Sequence, residues 1–126
     1  MPPRKVSLTF AQVARLAGAL PDVVVSTSYG TDALKVKDKL LARMWEDGTT
    51  MVLRLPFTVR DHLISAEPER YFLTDHYKAY PYVLVRLAAV TAGDLTPLLE
   101  EGWRQVAPKR LVTAFDQCAK PGPRRA

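Results

Sequence analysis

The residues that could do chemistry in this chain are few, and their surroundings argue against catalysis. The two histidines, His62 and His76, each follow an aspartate, as in a fragment of a hydrolase triad, but the chain has no Gly-x-Ser-x-Gly turn to carry a nucleophile. Neither histidine stands at a metal-ligand spacing from the other, from the single cysteine, Cys118, or from paired carboxylates. We therefore expect His62 on a helix surface and Cys118 as a small buried hydrophobe. We expect no catalytic residue, no metal and no cofactor, and hence a protein that is not an enzyme.

Charge is the feature that suggests a partner. The chain of 126 residues has 18 Lys+Arg against 13 Asp+Glu, a net charge of +5, which favours anionic partners if the excess lies on one face. A single cysteine excludes an intrachain disulfide and suits a reducing compartment. No apolar run approaches the length of about 18 residues that a membrane-spanning helix needs, and the first residues lack the apolar stretch of a secretion signal. We expect a cytoplasmic protein.

The spacing of apolar and turn residues predicts an α+β domain. Helices are predicted from Thr9 to residue 20, from Thr58 to residue 66, from Asp94 to residue 106 and over residues 110–118, with Thr9 and Asp94 as caps. Strands are predicted at residues 23–29, 33–37, 40–46, 51–55, 71–73 and 82–88. This order favours an antiparallel sheet with helices packed on one face. We expect one domain over residues 1–118 and a basic, flexible tail over residues 119–126.

Alternation along the strands predicts which side chains point away from the helices. The predicted inward set is Leu34, Val36, Leu40, Ala42, Met44, Met51, Leu53, Leu55, Val83, Val85 and Leu87. The predicted outward set is Lys35, Lys37, Leu41, Arg43, Trp45, Arg54, Tyr82 and Arg86. This face is basic and partly aromatic, as a nucleic-acid surface is, because cations neutralise phosphates and rings stack on bases. An ordinary solvated face is the alternative, since the stems of Lys and Arg commonly lie over a sheet.

Four stretches of the sequence, taken in order, carry a family resemblance. They are ALPD and STSYGT at residues 19–22 and 26–31, LKV and KLLA at residues 34–36 and 39–42, HYKAYPYV at residues 76–83, and WRQVAPKRL at residues 103–111. On these stretches the chain resembles the MmcQ/YjbR family. The resemblance implies a CyaY-like α+β fold of double-wing type and a DNA-binding role, with residues 35–39 and 76–82 as candidate contacts. The chain departs from the family pattern at Leu34, where an aromatic residue is frequent, and at Tyr82, where Trp is frequent. The acidic ridge on which iron-handling proteins of this fold rely is missing from the predicted face.

Two functional hypotheses follow from these observations. The first is a DNA-binding protein, expected to be a monomer, whose open sheet face and loop 74–81 contact the phosphate backbone. Its predicted contacts are Lys35, Lys37, Lys39, Arg43, Trp45, Arg54, His76, Tyr77, Lys78, Tyr80, Tyr82 and Arg86. The second is a module that binds a small acidic ligand or a protein, with loop 74–81 as one wall of a pocket.

Overall fold

Four consecutive strands follow the first helix, and two more strands come after the second helix, so that one sheet forms with helices against it. The computed structural model describes residues 8–28 and 30–119, without the side chains of Cys118 and Ala119. The strands are β1 (Val23–Ser28), β2 (Thr31–Val36), β3 (Lys39–Met44), β4 (Thr50–Arg54), β5 (Tyr71–Phe72) and β6 (Tyr82–Arg86). The helices are α1 (Phe10–Ala17), α2 (Phe57–Ala66), α3 (Ala92–Val106) and α4 (Lys109–Ala119), and a 3-10 turn spans Asp75–Tyr77. All strand pairs are antiparallel, in the order β1-β2-β3-β4-β6-β5, so the predicted α+β class is confirmed.

Hydrogen bonds at the helix starts confirm one predicted cap and correct the other. The Thr9 hydroxyl accepts from the Gln12 amide at 3.2 Å, and the Gln12 side chain accepts from the Thr9 amide at 2.9 Å, as predicted for α1. In α3 the cap is Thr91, and Asp94 is the third helical residue, which accepts from the Thr91 amide at 2.9 Å. Helix α2 begins one residue before Thr58 and has no side-chain cap.

Helix α3 forms the centre of the main core. Five apolar residues at helical spacing on one face of this helix are all buried: Leu95, Leu98, Leu99, Trp103 and Val106. Trp103 packs on Phe115 of α4 with ring centroids 5.0 Å apart, and its indole N–H donates to the Pro21 carbonyl at 2.8 Å. Gly102 lets α3 approach β4 closely, because a Cβ at this position would collide with the carbonyl oxygen of Arg54. The helices are thereby fixed over the middle of the sheet.

A β-bulge in β3 overturns part of the predicted alternation. Leu34 pairs with Ala42 and Lys35 pairs with Leu40, so Leu41 has no partner on β2. Leu41 and Ala42 are both fully buried in the main core, whereas Leu40 lies on the opposite side of the sheet beside Lys35. The outward position predicted for Leu41 and the inward position predicted for Leu40 are therefore wrong, because the extra residue shifts the two-residue period.

The sheet face opposite the main core is not open at its centre. Residues 74–81, which we call the covering segment, cross this face and place Tyr77 in a second cluster with Val52 and Leu84. Val52 and Leu84 are fully buried, and Tyr77 is only 5% exposed. The predicted water-facing surface is thus divided into a covered centre and exposed margins.

Several expectations concern the chain ends. Helix α4 includes Ala119, the first residue of the predicted tail, and residues 120–126 lie outside the described residues, as does the Cys118 side chain. No helix in the described ranges is both long enough and apolar enough to cross a membrane.

Candidate binding groove

A groove of about 680 Å³ lies between one end of the sheet and the covering segment. It is lined by Thr27, Ser28, Lys35, Asp38, Leu40, His76, Tyr77, Tyr80 and Tyr82. Strand pairing explains the side formed by the sheet, because Lys35 and Leu40 are directly opposite on β2 and β3. The covering segment supplies His76 and Tyr80, which are both exposed. The groove therefore joins residues that are about 50 positions apart in the sequence.

The chemistry of the groove suits a ligand with one acidic group and an apolar body. Lys35 is half-buried and is the only Lys or Arg among the described lining residues. The other lining residues supply hydroxyl groups, aromatic rings and one carboxylate, that of Asp38, and Tyr82 is held in place by donating to the Leu40 carbonyl at 3.2 Å. His76 packs edge-on against Tyr77 with ring centroids 4.7 Å apart. An ammonium group, hydroxyl donors and ring surfaces can thus meet a single small molecule.

Arg43, expected on the water-facing surface, is buried. Its side chain is 5% exposed, and its Nε and Nη2 atoms donate to the Tyr77 hydroxyl at 3.2 and 3.1 Å. Its Nη1 atom donates to the Thr31 hydroxyl and to the Met44 carbonyl, each at 3.2 Å, and lies 3.7 Å from a carboxylate oxygen of Glu46. The exposure predicted for Arg43 and Tyr77 is wrong, because the covering segment brings the Tyr77 hydroxyl over Arg43. Arg43 holds that segment on the sheet.

The aromatic neighbours of Arg43 complete this cluster. Trp45, predicted to be outward and available for stacking, is half-buried, with the Arg43 guanidinium 5.2 Å from its ring centroid. Its ring also meets Tyr77 edge-on at 6.1 Å, and Tyr77 meets Tyr82 at 5.8 Å. The Trp45 ring therefore packs against at least two neighbouring side chains, those of Arg43 and Tyr77.

A second arginine, which the sequence analysis missed, ties the covering segment to α2. Arg60 is 6% exposed and donates to the carbonyl oxygens of Lys78 and Tyr80 at 3.2 and 2.8 Å. It also pairs with Asp61 at 2.9 Å and lies over the Phe57 ring at 4.7 Å. No sequence signal marks Arg60, because its partners are backbone carbonyls about 20 residues away.

The remaining predicted cations do not form one patch. Arg54 and Arg86 lie at opposite ends of the paired strands β4 and β6, where Arg54 faces Tyr82 and Arg86 faces Thr50. The two ends are four residue-to-residue steps apart along the strand, which is a distance of about 13 Å. Arg54 donates to the Gln105 side chain at 3.1 Å, and Arg86 is exposed and stacks on Phe72 at 4.1 Å.

The predicted lysines outside the groove have separate positions. Lys37 lies in the turn after β2 with a left-handed φ of 51°, and its ammonium group pairs with Asp22 at 3.2 Å. Lys39 and Lys78 are both exposed, and neither lines the groove. Among the lysines predicted to contact nucleic acid, Lys35 alone therefore contributes to the groove.

The positive charge of the chain lies outside its described part. Five of the 18 Lys+Arg are at the chain ends, so the described residues hold 13 Lys+Arg against all 13 Asp+Glu. The five are Arg4, Lys5, Lys120, Arg124 and Arg125. With His neutral, the described part has no net charge. The described residues therefore have no overall excess of cations, and the predicted arginines do not lie together.

The sheet contributes groove residues that the sequence analysis did not select. Thr27 and Ser28 line the groove and lie within the STSYGT stretch that carries the family resemblance. Their place in that stretch could have marked them as candidate site residues. Leu40 gave no signal, because the bulge beside it is needed to turn its side chain toward the groove.

Comparison with known proteins gives relatives whose own function is not described. No family model matches the sequence. The uncharacterised protein Rv2570 of Mycobacterium tuberculosis and the uncharacterised protein Mb2600 of Mycobacterium bovis are each 35% identical to this chain over 127 aligned positions. The alignment covers 85% of this chain and 95% of each relative.

A solved structure has the same arrangement of strands and helices. It is the crystal structure of the Deinococcus radiodurans protein DR2400, described as a DUF419 domain, and it matches with a TM-score of 0.69 over 90% of each chain. At 20% sequence identity this likeness concerns the fold. The chain therefore belongs to the family of the mycobacterial proteins Rv2570 and Mb2600, and it has the fold of the DUF419 domain of DR2400.

Proposed function

We propose that this protein is a binding module without catalytic activity whose groove holds a small acidic molecule. The observation that carries the proposal is the placement of Lys35, half-buried, among aromatic rings and hydroxyl groups in a groove of about 680 Å³. This volume is within the usual range for small-molecule sites, which is about 300–1,000 Å³. One ammonium group matches one carboxylate or phosphate, and the rings match an apolar body.

The charge distribution favours such a ligand over an extended polyanion. A protein that follows a nucleic-acid backbone needs several cations in a row, each near one phosphate. Here the groove has one lysine together with the carboxylate of Asp38. Arg43 is occupied inside the protein, and Arg54 and Arg86 lie at opposite strand ends.

Titration monitored by NMR tests the proposal with three matched probes. Benzoate carries an acid and a ring, benzamide has a similar shape without the charge, and adenosine monophosphate carries a phosphate and a larger ring. We expect benzoate or adenosine monophosphate to shift the amide signals of residues that line the groove, and we expect benzamide to shift them much less. Removing the charge with Lys35→Met should weaken binding of the acidic probe about fivefold, the effect of losing one partly exposed ion pair.

Lys39→Met is the matched control, because Lys39 is exposed outside the groove. It removes the same charge from the same sheet and should leave the affinity within about twofold of the wild type. Equal weakening by Lys39→Met and Lys35→Met would contradict a site at Lys35. If none of the three probes shifts groove signals, the proposal fails.

DNA binding is a second candidate, favoured by the cations at the two chain ends. Cations in a chain segment contribute to affinity by releasing counterions from DNA, whatever their position in the fold. A fluorescence polarisation titration with duplex DNA at two salt concentrations tests this with the full chain. Substituting all five end cations with Gln should then remove most binding, whereas an Arg86→Gln control should change it little. Binding that persists after the five substitutions would exclude the chain ends as the contact.

We infer that the family is MmcQ/YjbR, to which DUF419 corresponds. Two observations support this inference: the DUF419 fold of the structural neighbour and the four matching stretches of sequence. Two of those stretches contain Lys35 and His76, which both line the groove. The positions that carry the resemblance thus border the proposed site.

A further inference from the structure

Strand β1 is an edge strand with an unusually unprotected outer side. It pairs with β2 only, and Val24 and Val25 in its middle are 54% and 63% exposed. Its sequence, VVVSTS, has neither a charged residue nor a proline. Natural proteins commonly protect an edge with such residues or with a very short strand. The opposite edge, β5, fits that pattern because it has two residues.

The helices leave the outer part of β1 uncovered. Helix α3 packs on β3 and β4, and Leu34 on β2 is fully buried below it. Val25 is directly opposite Leu34 and shares its sheet face, yet it stays exposed. Val24 lies on the other face, directly opposite Lys35 of β2, and is also exposed. Apolar side chains are thus presented on both faces of the strand, next to unpaired backbone N–H and C=O groups.

We infer that β1 pairs antiparallel with β1 of a second copy of this chain. The partner is a second copy because the β1–β2 hairpin is complementary to itself in charge. With the adjoining Lys39, three lysines (Lys35, Lys37 and Lys39) outnumber Asp22 and Asp38 toward the Val23 end, and Asp32 lies toward the Ser28 end. Antiparallel pairing brings the lysine-rich end of each copy toward the aspartate end of the other. The described residues carry no net charge, so this part of the chain adds no long-range repulsion between the copies.

The side-chain alternation limits the register of this pair. Neighbours across two antiparallel strands lie on the same sheet face, so the two-fold axis passes at a residue, and pairing along most of β1 places it at Val25 or Ser26. In the first case Val24 of one copy faces Ser26 of the other, and in the second it faces Ser28. Since Thr27 and Ser28 line the groove, each copy would border the groove of the other. This differs from the monomer expected from the sequence.

Sedimentation velocity of the full chain, over a concentration series up to about 1 mM, tests the inference. A dimer with a dissociation constant above about 1 mM counts here as non-specific association. We expect a monomer–dimer equilibrium. Val25→Lys should weaken the dimer about tenfold or more, since it places two like charges near the axis. Ala114→Lys, which adds the same charge at an exposed position of α4, is the control and should leave the equilibrium unchanged.

Hydrogen exchange distinguishes edge pairing from other contacts. The amides of β1 should become more protected as the protein concentration rises, and Val25→Lys should abolish this gain without lowering the unfolding temperature. A protein that remains a monomer throughout the series overturns the inference. So does a dimer that forms equally well with Val25→Lys, or one in which β1 amides stay unprotected.

Discussion

Removing one hydroxyl group, by Tyr77→Phe, tests whether Arg43 holds the covering segment. The ring would keep its contacts with Trp45 and Tyr82, so the change concerns the hydrogen bonds alone. The Tyr77 hydroxyl accepts two bonds from the Arg43 guanidinium, at 3.2 and 3.1 Å, and water cannot replace it easily because Tyr77 is 5% exposed. Hydrogen bonds to a charged group contribute about 1.5–3 kcal/mol. We expect Tyr77→Phe to lower the free energy of unfolding by about 2 kcal/mol.

Urea unfolding followed by circular dichroism gives this free energy, and Tyr80→Phe is the matched control. Tyr80 is 53% exposed, so loss of its hydroxyl should change stability by less than about 0.5 kcal/mol. In thermal unfolding, Tyr77→Phe should lower the midpoint by about 6–10 °C for a domain of this size. A double-mutant cycle of Tyr77→Phe with Arg43→Met should give a coupling energy of about 1–2 kcal/mol.

The reasoning is refuted if Tyr77→Phe is as stable as Tyr80→Phe. In that case the two bonds from Arg43 would not be what holds the covering segment on the sheet. Substitution of Arg43 by Glu would be a poor test of DNA binding. The new carboxylate would lie against the Thr31 hydroxyl and the Met44 carbonyl oxygen. The variant would then lose DNA binding because it fails to fold, whether or not Arg43 contacts DNA.

Two further predictions concern the packing and capping of α3. Gly102→Ala should lower the free energy of unfolding by about 3 kcal/mol or prevent folding, because the added Cβ would collide with the Arg54 carbonyl oxygen. A variant with wild-type stability in urea unfolding would contradict the close approach of α3 to β4. Hydrogen bonds from the Thr91 backbone and side chain, with the nearby Arg70 charge, lower the pKa of Asp94 below its ordinary value of 3.8, although burial opposes this. A lowered folded-state pKa stabilises the protein above pH of about 4, and this contribution is lost as pH falls through the folded-state pKa. Stability measured from pH 5 downward should therefore fall less steeply in Asp94→Asn than in the wild type, and identical slopes would contradict this role of Asp94.

The main core is the part of the fold that local sequence patterns could predict. The apolar residues from Leu95 to Val106 repeat at helical spacing, so α3 identifies its own buried side. The Thr9 capping box is equally local, since its bonds span three residues. Such features need no knowledge of what lies across the sheet.

The candidate site depends on contacts that are remote in sequence. Tyr77 meets Arg43 across 34 residues, and Arg60 reaches the Tyr80 carbonyl across 20. The bulge at Leu41 also escapes a pattern argument, because an extra residue in one strand is defined only by its pairing with the other.

The amino-acid sequence by itself determined the elements, their order, the α+β class and the excess of cations at the chain ends. Only the tertiary structure decided which cations are exposed. Alternation gives the face of a sheet on which a side chain lies, but it does not say what crosses that face. The segment over Arg43 turned a predicted anion contact into an internal hydrogen-bonding group, and it forms one side of the groove at Lys35, where we propose that a ligand binds.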